Sequence, residues 1–110
     1  MARVMTAKEV FDLMPSRFLP EQVGDLNATF QFDLSGEGGG QWYVTIADQQ
    51  LTVTEGLAPA PNLTLSTSAE DYVAIVNGDL NAMSAFMQGK VKAKGDMALA
   101  MRMQTLFKSS

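Results

Sequence analysis

The chain has 110 residues, of which 46% are hydrophobic and 18% are charged, and its formal net charge is -4. This composition is typical of one globular domain over residues 1–110, and not of a disordered chain or a basic nucleic-acid-binding protein. The sequence has no cysteine and no histidine, which excludes disulfides, a Ser-His-Asp triad and the usual zinc sites.

The first predicted element is a helix that begins after Thr6. Thr6 and Glu9 form the T-x-x-E pattern of a capping box, and apolar residues then recur at helical spacing. Pro15 is expected to end or kink this helix, and Pro20 to open a short turn.

The next part of the chain has the two-residue period of β-strands. Apolar and polar side chains alternate in residues 25–34, 41–46, 51–53 and 63–65. The pattern predicts an antiparallel meander with one buried face and one face in water. Gln31, as one of the polar residues in this pattern, is expected on the face in water. The glycine-rich residues 36–40 lie between two strands and are interpreted as a hairpin loop.

The helical period returns after residue 67. Ser68, with Asp71 three residues later, marks the start of a helix that Asn77 and Gly78 end. A second helix is predicted near residues 80–88. Because helices precede and follow the strands, they are expected to cover one face of a single sheet, which is an α+β architecture.

A last strand is predicted at residues 89–95, with Val91 and Ala93 inward and three lysines outward. After residue 89, basic side chains are opposed by one acid, Asp96; they are Lys90, Lys92, Lys94, Arg102 and Lys108. The lysines either protect an exposed sheet edge or attract an anionic membrane. Nucleic acid is not expected as a partner, because the chain is acidic and has no basic face interleaved with aromatic residues.

Residues 96–107 predict a final helix with a wide apolar arc. The arc contains Met97, Leu99, Ala100, Met101, Met103, Leu106 and Phe107, with Gln104 in its middle. Such a helix is either a core helix or the wall of a pocket, since methionine adapts to variable apolar shapes. A buried Gln104 needs a hydrogen-bond partner, because an unpaired amide costs about 1–3 kcal/mol.

Three segments together resemble the sterol carrier protein-2 lipid-transfer domain. They are FQFDLSGEGGGQWYVTI at residues 30–46, residues 63–96 with the G-K-x-K-x-x-G-D turn, and MALAMRMQTLF at residues 97–107. The resemblance implies a five-stranded, mostly antiparallel sheet covered on one face by helices. It also implies an apolar tunnel that holds a fatty acid, fatty acyl-CoA, phospholipid or sterol without chemistry on it.

The expected function is therefore intracellular lipid binding or transfer. The expected ligand-binding residues are Phe32, Trp42, Val44, Phe86, Met87, Met97, Met101, Met103 and Phe107 as wall, with Gln104 as the polar contact. No catalytic residue, metal or cofactor is expected. We expect transient membrane contact through Lys90, Lys92 and Lys94, and a monomer or homodimer.

A cytoplasmic location is expected, because the first residues lack the apolar stretch of a signal peptide and the last ones lack an S-K-L address. The alternative function is a structural or dimerisation module whose apolar C-terminal helix packs against a protein partner. A small enzyme acting on an acyl ligand is a third possibility, for which no nucleophile and base pair is visible in the sequence.

Overall fold

The computed structural model describes residues 3–103, 105 and 106. Within these residues the helices are α1 (Ala7–Arg17), α2 (Ala69–Val76), α3 (Ala82–Met87) and α4 (Met97–Met103), with a 3₁₀ turn at Pro20–Gln22. The strands are β1 (Ala28–Ser35), β2 (Gly40–Ala47), β3 (Gln50–Glu55), β4 (Leu63–Ser68) and β5 (Lys92–Gly95). The predicted α+β class and five-stranded sheet are confirmed.

The sheet has the strand order β3-β2-β1-β4-β5. Its neighbours are antiparallel except for β1 and β4, which run parallel with Phe32 opposite Leu65. The predicted meander is therefore wrong at one connection: the chain leaves β3 at one edge and crosses β2 and β1 before it enters β4. The sheet is mostly antiparallel, as expected, but this crossover places β4 and β5 beside β1 and away from β2.

Gln31 holds the crossover segment against the sheet. The residue is 3% exposed, although its polar type placed it on the face in water. Its Nε2 donates to the carbonyls of Trp42 and Gly56, each at 3.1 Å, and its Oε1 accepts from the N–H of Ala58 at 2.7 Å. The crossover segment thus covers the sheet face at Gln31 and satisfies its amide, which explains the burial.

The helix starts follow the sequence closely. The Thr6 hydroxyl accepts from the N–H of Glu9 at 3.2 Å, and Ser68 accepts from Asp71 at 3.0 Å, as both capping patterns predict. α1 continues two residues past Pro15 and ends at Arg17, because a proline in the last turn removes one hydrogen bond only.

The final helix is shorter than predicted. α4 ends at Met103, and the carbonyl of Leu106 accepts from the N–H of Leu19 at 2.8 Å. Leu106 is buried, so the chain after α4 docks beside the 3₁₀ turn and does not continue the helix. Arg102 supports this arrangement, because its Nη2 donates to the carbonyl of Val23 at 2.7 Å. Gln104 and Phe107, both expected in this helix, lie outside the described residues.

A stack of aromatic rings joins the helices to the sheet. Phe11 of α1 stacks on Trp42 with ring centroids 4.6 Å apart and on Tyr72 at 5.6 Å. It also meets Phe32 edge to face at 5.2 Å. These contacts bring α1, α2, β1 and β2 together in one closed core.

Replacing Gln31 with leucine tests its role in the crossover. Gln31→Leu leaves the N–H of Ala58 and the carbonyl of Gly56 without their partner, so the free energy of unfolding should fall by about 2–3 kcal/mol. Urea denaturation measures the change. The control Gln41→Leu, at an exposed position of β2, should stay within about 0.5 kcal/mol of the parent. Equal effects at the two positions would contradict the role given to Gln31.

Candidate functional site

A cavity of about 670 Å³ lies between the helices and the β1-β4-β5 side of the sheet. This volume is within the range of small-molecule sites, roughly 300–1,000 Å³. Its lining is Val10, Met14 and Arg17 of α1; Phe32, Leu65, Thr67 and Ala93 of the sheet; Tyr72, Ile75 and Val76 of α2; Ala82, Met83 and Phe86 of α3; Met97, Ala100, Met101 and Met103 of α4; and Gly78, Leu80, Asn81 and Val91 of connections. The wall is mostly apolar.

The structure brings half of the predicted ligand-binding residues to this cavity. Phe32, Phe86, Met97, Met101 and Met103 all line it. They come from β1, α3 and α4, which are far apart in sequence and meet only in the fold. Their role in binding stays a prediction, but their grouping around one cavity agrees with it.

Three more of the predicted residues, Trp42, Val44 and Met87, lie outside this lining, whereas Gln104 and Phe107 are not among the described residues. Trp42 and Val44 are buried in the closed core, where the ring of Trp42 is covered by Phe11. Met87 is 80% exposed and is not among the lining residues. The alternation of apolar and polar residues in β2 correctly predicted which face of the sheet the helices cover. It could not show that the cavity lies over β4 and β5.

Sequence reasoning missed the contributions of α1 and α2 to the wall. Val10 and Met14 are four residues apart on α1, and Tyr72 and Val76 are four residues apart on α2, so each pair shares one helix face. The same spacing is typical of core helices, and it gave no sign that these faces stop short of full contact.

Arg17 is the most distinctive residue of the wall that was missed. It lies in the last turn of α1, is 8% exposed and is the one residue with a formal charge among the described lining residues. An arginine stays charged at any physiological pH and presents several N–H donors. The described wall therefore combines mostly apolar residues with one permanent cation.

The described lining residues include no aspartate and no glutamate. Burial raises the pKa of the Tyr72 phenol well above its usual range, so the hydroxyl stays neutral and protonated near pH 7. This part of the wall offers hydrogen-bond donors and apolar surface, and not a carboxylate for general acid or base chemistry.

The cavity opens to solvent between α3 and α4. Four large apolar side chains both line it and are exposed: Met83 at 50%, Phe86 at 42%, Met97 at 45% and Met101 at 67%. We call these four residues the rim. Apolar side chains grouped in this way mark an interaction site more often than isolated ones do.

The lysine segment lies between the two rim helices in the chain. Val91 and Ala93 line the cavity, whereas Lys90, Lys92 and Lys94 are exposed, which confirms the predicted alternation. The strand itself is shorter than the predicted residues 89–95, because β5 begins at Lys92. Lys92 and Lys94 lie on the edge strand β5, on the face opposite Ala93, and Lys90 lies just before this strand. Within the described part of the chain, no helix has the length and apolarity that crossing a bilayer requires.

A second hollow, of about 730 Å³, lies at the Ser68 end of β4 and is lined mostly by polar residues. Its lining includes Asp33, Asp71, Lys90 and Lys92, whose charges balance. Thr67 lines both hollows, and its hydroxyl donates to the carbonyl of Lys90 at 2.8 Å. The apolar cavity is the better candidate site, because the polar hollow has neither its apolar wall nor a uniform charge.

Comparison with known proteins gives a consistent result. The SCP-2 sterol transfer family matches residues 8–108 of this chain. Hydroxysteroid dehydrogenase-like protein 2 of Bos taurus is 33% identical over 106 residues, which cover 96% of this chain and 25% of that protein. For Rattus norvegicus the identity is 34%, over 90% of this chain and 19% of the relative. The chain thus spans a quarter or less of these curated relatives.

Solved structures share the fold. The solution structure of palmitated SCP2L2 from Aedes aegypti has a TM-score of 0.75 and 26% identity, covering 90% of this chain and 91% of that one. The sec-alkylsulfatase Pisa1 from Pseudomonas sp. has a TM-score of 0.79 and 22% identity, over 96% of this chain and 17% of the sulfatase. At that identity the sulfatase shows the shared fold alone.

Proposed function

The chain belongs to the SCP-2 sterol transfer family, and from that premise we propose that it binds a long-chain lipid in the cavity of about 670 Å³ and carries it without reacting with it. The observation that carries the proposal is the apolar cavity itself, which opens through the rim. A similar protein from Aedes aegypti has been solved in palmitated form, which supports an acyl chain as the ligand.

The apolar wall supplies enough free energy for such binding. Burying a chain of roughly 14–18 carbons at about 0.8 kcal/mol per CH₂ gives a gross gain of roughly 11–14 kcal/mol. The loss of translational and conformational freedom removes a substantial part of it. Affinities from micromolar to nanomolar are therefore expected for a fatty acid, a fatty acyl-CoA, a phospholipid or a sterol.

We propose a fatty acid as the simplest ligand, with Arg17 as the contact for its carboxylate. Arg17 supplies the cation of the described wall, and hydrogen bonds to charged groups contribute about 1.5–3 kcal/mol. Sequence reasoning gave the polar role to Gln104, which lies outside the described residues. A cytoplasmic location and action without catalysis stay predictions.

We also propose that lipid enters and leaves at a membrane surface that the rim contacts. Met83, Phe86, Met97 and Met101 present apolar side chains at the opening, and the exposed Lys90, Lys92 and Lys94 lie between α3 and α4 in the chain. Each basic residue near an anionic membrane contributes about 1 kcal/mol of attraction. Apolar contact beside positive charge favours an anionic bilayer.

The exposed rim also supports the alternative, in which the same apolar surface packs against a second copy or another protein. Sedimentation velocity with and without bound fatty acid separates the two. A tight dimer that is indifferent to lipid would favour a dimerisation module, whereas a monomer that binds lipid favours the transfer protein.

Filling the cavity tests the central proposal. Ala100 lines the cavity, and Ala98 lies on the same helix but is exposed and outside the lining. Ala100→Phe should lower the affinity for a fluorescent fatty acid by about tenfold or more, because the new ring occupies the space of several buried methylenes. Ala98→Phe should bind as the parent does. Equal binding by the two variants, at parental thermal stability, would contradict a lipid site in this cavity.

The role of Arg17 is tested by comparing palmitate with its methyl ester. Arg17→Met should weaken palmitate binding by about tenfold, the equivalent of about 1.4 kcal/mol, since only the acid offers a carboxylate to the cation. Ester binding should change much less. Isothermal titration gives both constants, and their ratio is unaffected by a general loss of stability. An unchanged ratio would exclude Arg17 as the carboxylate contact.

Vesicle binding tests the membrane contact. Lys92→Gln should weaken binding to phosphatidylserine-containing vesicles by roughly fivefold at low salt, and the difference should shrink as salt is added. The control Lys8→Gln removes one charge from α1, where Lys8 is paired with Asp12 at 2.8 Å. The proposal predicts that this control binds as the parent does. A loss of the same size in the control would mean that net charge alone sets the binding.

A further inference from the structure

The cavity concentrates the sulfur of this chain. The sequence has eight methionines and no cysteine. Five of the methionines line the cavity: Met14, Met83, Met97, Met101 and Met103. Two described methionines, Met5 and Met87, lie outside the lining and are 78% and 80% exposed. Any molecule held in the cavity therefore lies among several thioethers, the side-chain groups of this protein that peroxides oxidise most readily.

We propose that the methionines of the cavity reduce hydroperoxide groups carried on a bound lipid, and that the resulting sulfoxides weaken lipid binding. The inference rests on the proposed lipid-binding function. Its substrate class is the long-chain lipid hydroperoxide, whose apolar chain is what the cavity takes. Each methionine acts once, so the reaction is stoichiometric and not a turnover.

The reaction is balanced without any further reagent. The sulfur lone pair attacks the distal oxygen of the hydroperoxide, an S–O bond forms, and the O–O bond breaks. The proton of the distal oxygen passes to the proximal oxygen, which leaves as the lipid alcohol. The thioether is oxidised by two electrons to a sulfoxide, and the hydroperoxide is reduced by two electrons.

Two features of the cavity favour this reaction over oxidation from solvent. Holding two reactants together makes an intermolecular step effectively intramolecular, which raises its rate at the same bulk concentration. Methionine is unbranched and flexible, so sulfurs contributed by α1, α3 and α4 can meet an oxygen at different positions along the chain. If exposure to solvent alone set the rate of oxidation, Met5 and Met87 would be oxidised first, because they are more exposed than any of the lining methionines.

The consequence for binding follows from the polarity of the product. A sulfoxide is polar, and placing it in an apolar wall removes favourable surface and adds an acceptor that must be hydrated or hydrogen-bonded. Met83, Met97 and Met101 form most of the rim, so their oxidation changes the opening as well as the interior. Oxidised protein should bind an ordinary fatty acid more weakly.

The test compares two oxidants on the delipidated full chain. One arm uses an equimolar 18-carbon fatty-acid hydroperoxide and the other uses hydrogen peroxide, with sulfoxide at each methionine measured by peptide mass spectrometry. The lipid hydroperoxide should oxidise Met83, Met97 and Met101 about tenfold more than Met5 and Met87. With hydrogen peroxide, the amount of sulfoxide at each methionine should instead increase with the exposed fraction of its side chain. Lipid alcohol should form in an amount equal to the sulfoxide, and excess palmitate should suppress it.

Volume-conserving variants provide the control. Leucine replaces methionine at little cost in packing, so the triple variant Met83→Leu, Met97→Leu, Met101→Leu should form much less lipid alcohol per bound lipid, with bound lipid measured separately because these residues line the cavity. The double variant Met5→Leu, Met87→Leu should form as much as the parent. Peroxide treatment should then lower palmitate affinity in the double variant and leave the triple variant nearly unchanged.

The outcomes separate this inference from the proposed function. If palmitate does not bind the untreated chain, the lipid-binding proposal itself fails. If palmitate binds but both oxidants give the same sulfoxide pattern, or palmitate does not suppress the reaction, only the inference about hydroperoxides is overturned.

Discussion

The stack of Phe11 on Trp42 and Tyr72 determines where this molecule is closed and where it is open. The three rings tie α1 and α2 to β2 at centroid distances of 4.6–5.6 Å, and they pack between the helices and the sheet on that side. On β4 and β5 the side chains that line the cavity are Leu65, Thr67 and Ala93, which are smaller than the aromatic rings. The smaller side chains of β4 and β5 leave room for the cavity between this side of the sheet and the helices.

Much of the fold follows from local rules in the sequence. Thr6 and Ser68 cap helices where their patterns predict, and the alternation of Val91 and Ala93 with three lysines sets the covered face of β5. The parallel pairing of β1 with β4 is different, because it depends on a crossover fixed by Gln31 and three main-chain groups distant in sequence. The polar character of Gln31 indicates the face of the sheet that is in water, and it gives no sign that the crossover segment will cover this position.

The sequence predicted the kind of site correctly, but it predicted only some of the residues that line it. A helix rich in methionine and the resemblance of three segments indicated an apolar tunnel, and five of the ten expected residues line the observed cavity. Trp42 has the same apolar character as Phe32, but it lies on β2, one strand further from β4 and β5, and is not among the lining residues. Arg17 gave no signal, because an arginine in the last turn of a helix is ordinary in any protein.

The central claim is that a lipid chain occupies the cavity. Methyl NMR of methionine-labelled protein tests it directly, since the sulfur-bound methyl groups of Met14 and Met103 report from the wall and those of Met5 and Met87 from outside it. One equivalent of palmitate should shift the Met14 and Met103 signals to saturation and leave Met5 and Met87 in place. Shifts confined to Met5 and Met87, or no saturable shift, would contradict the claim.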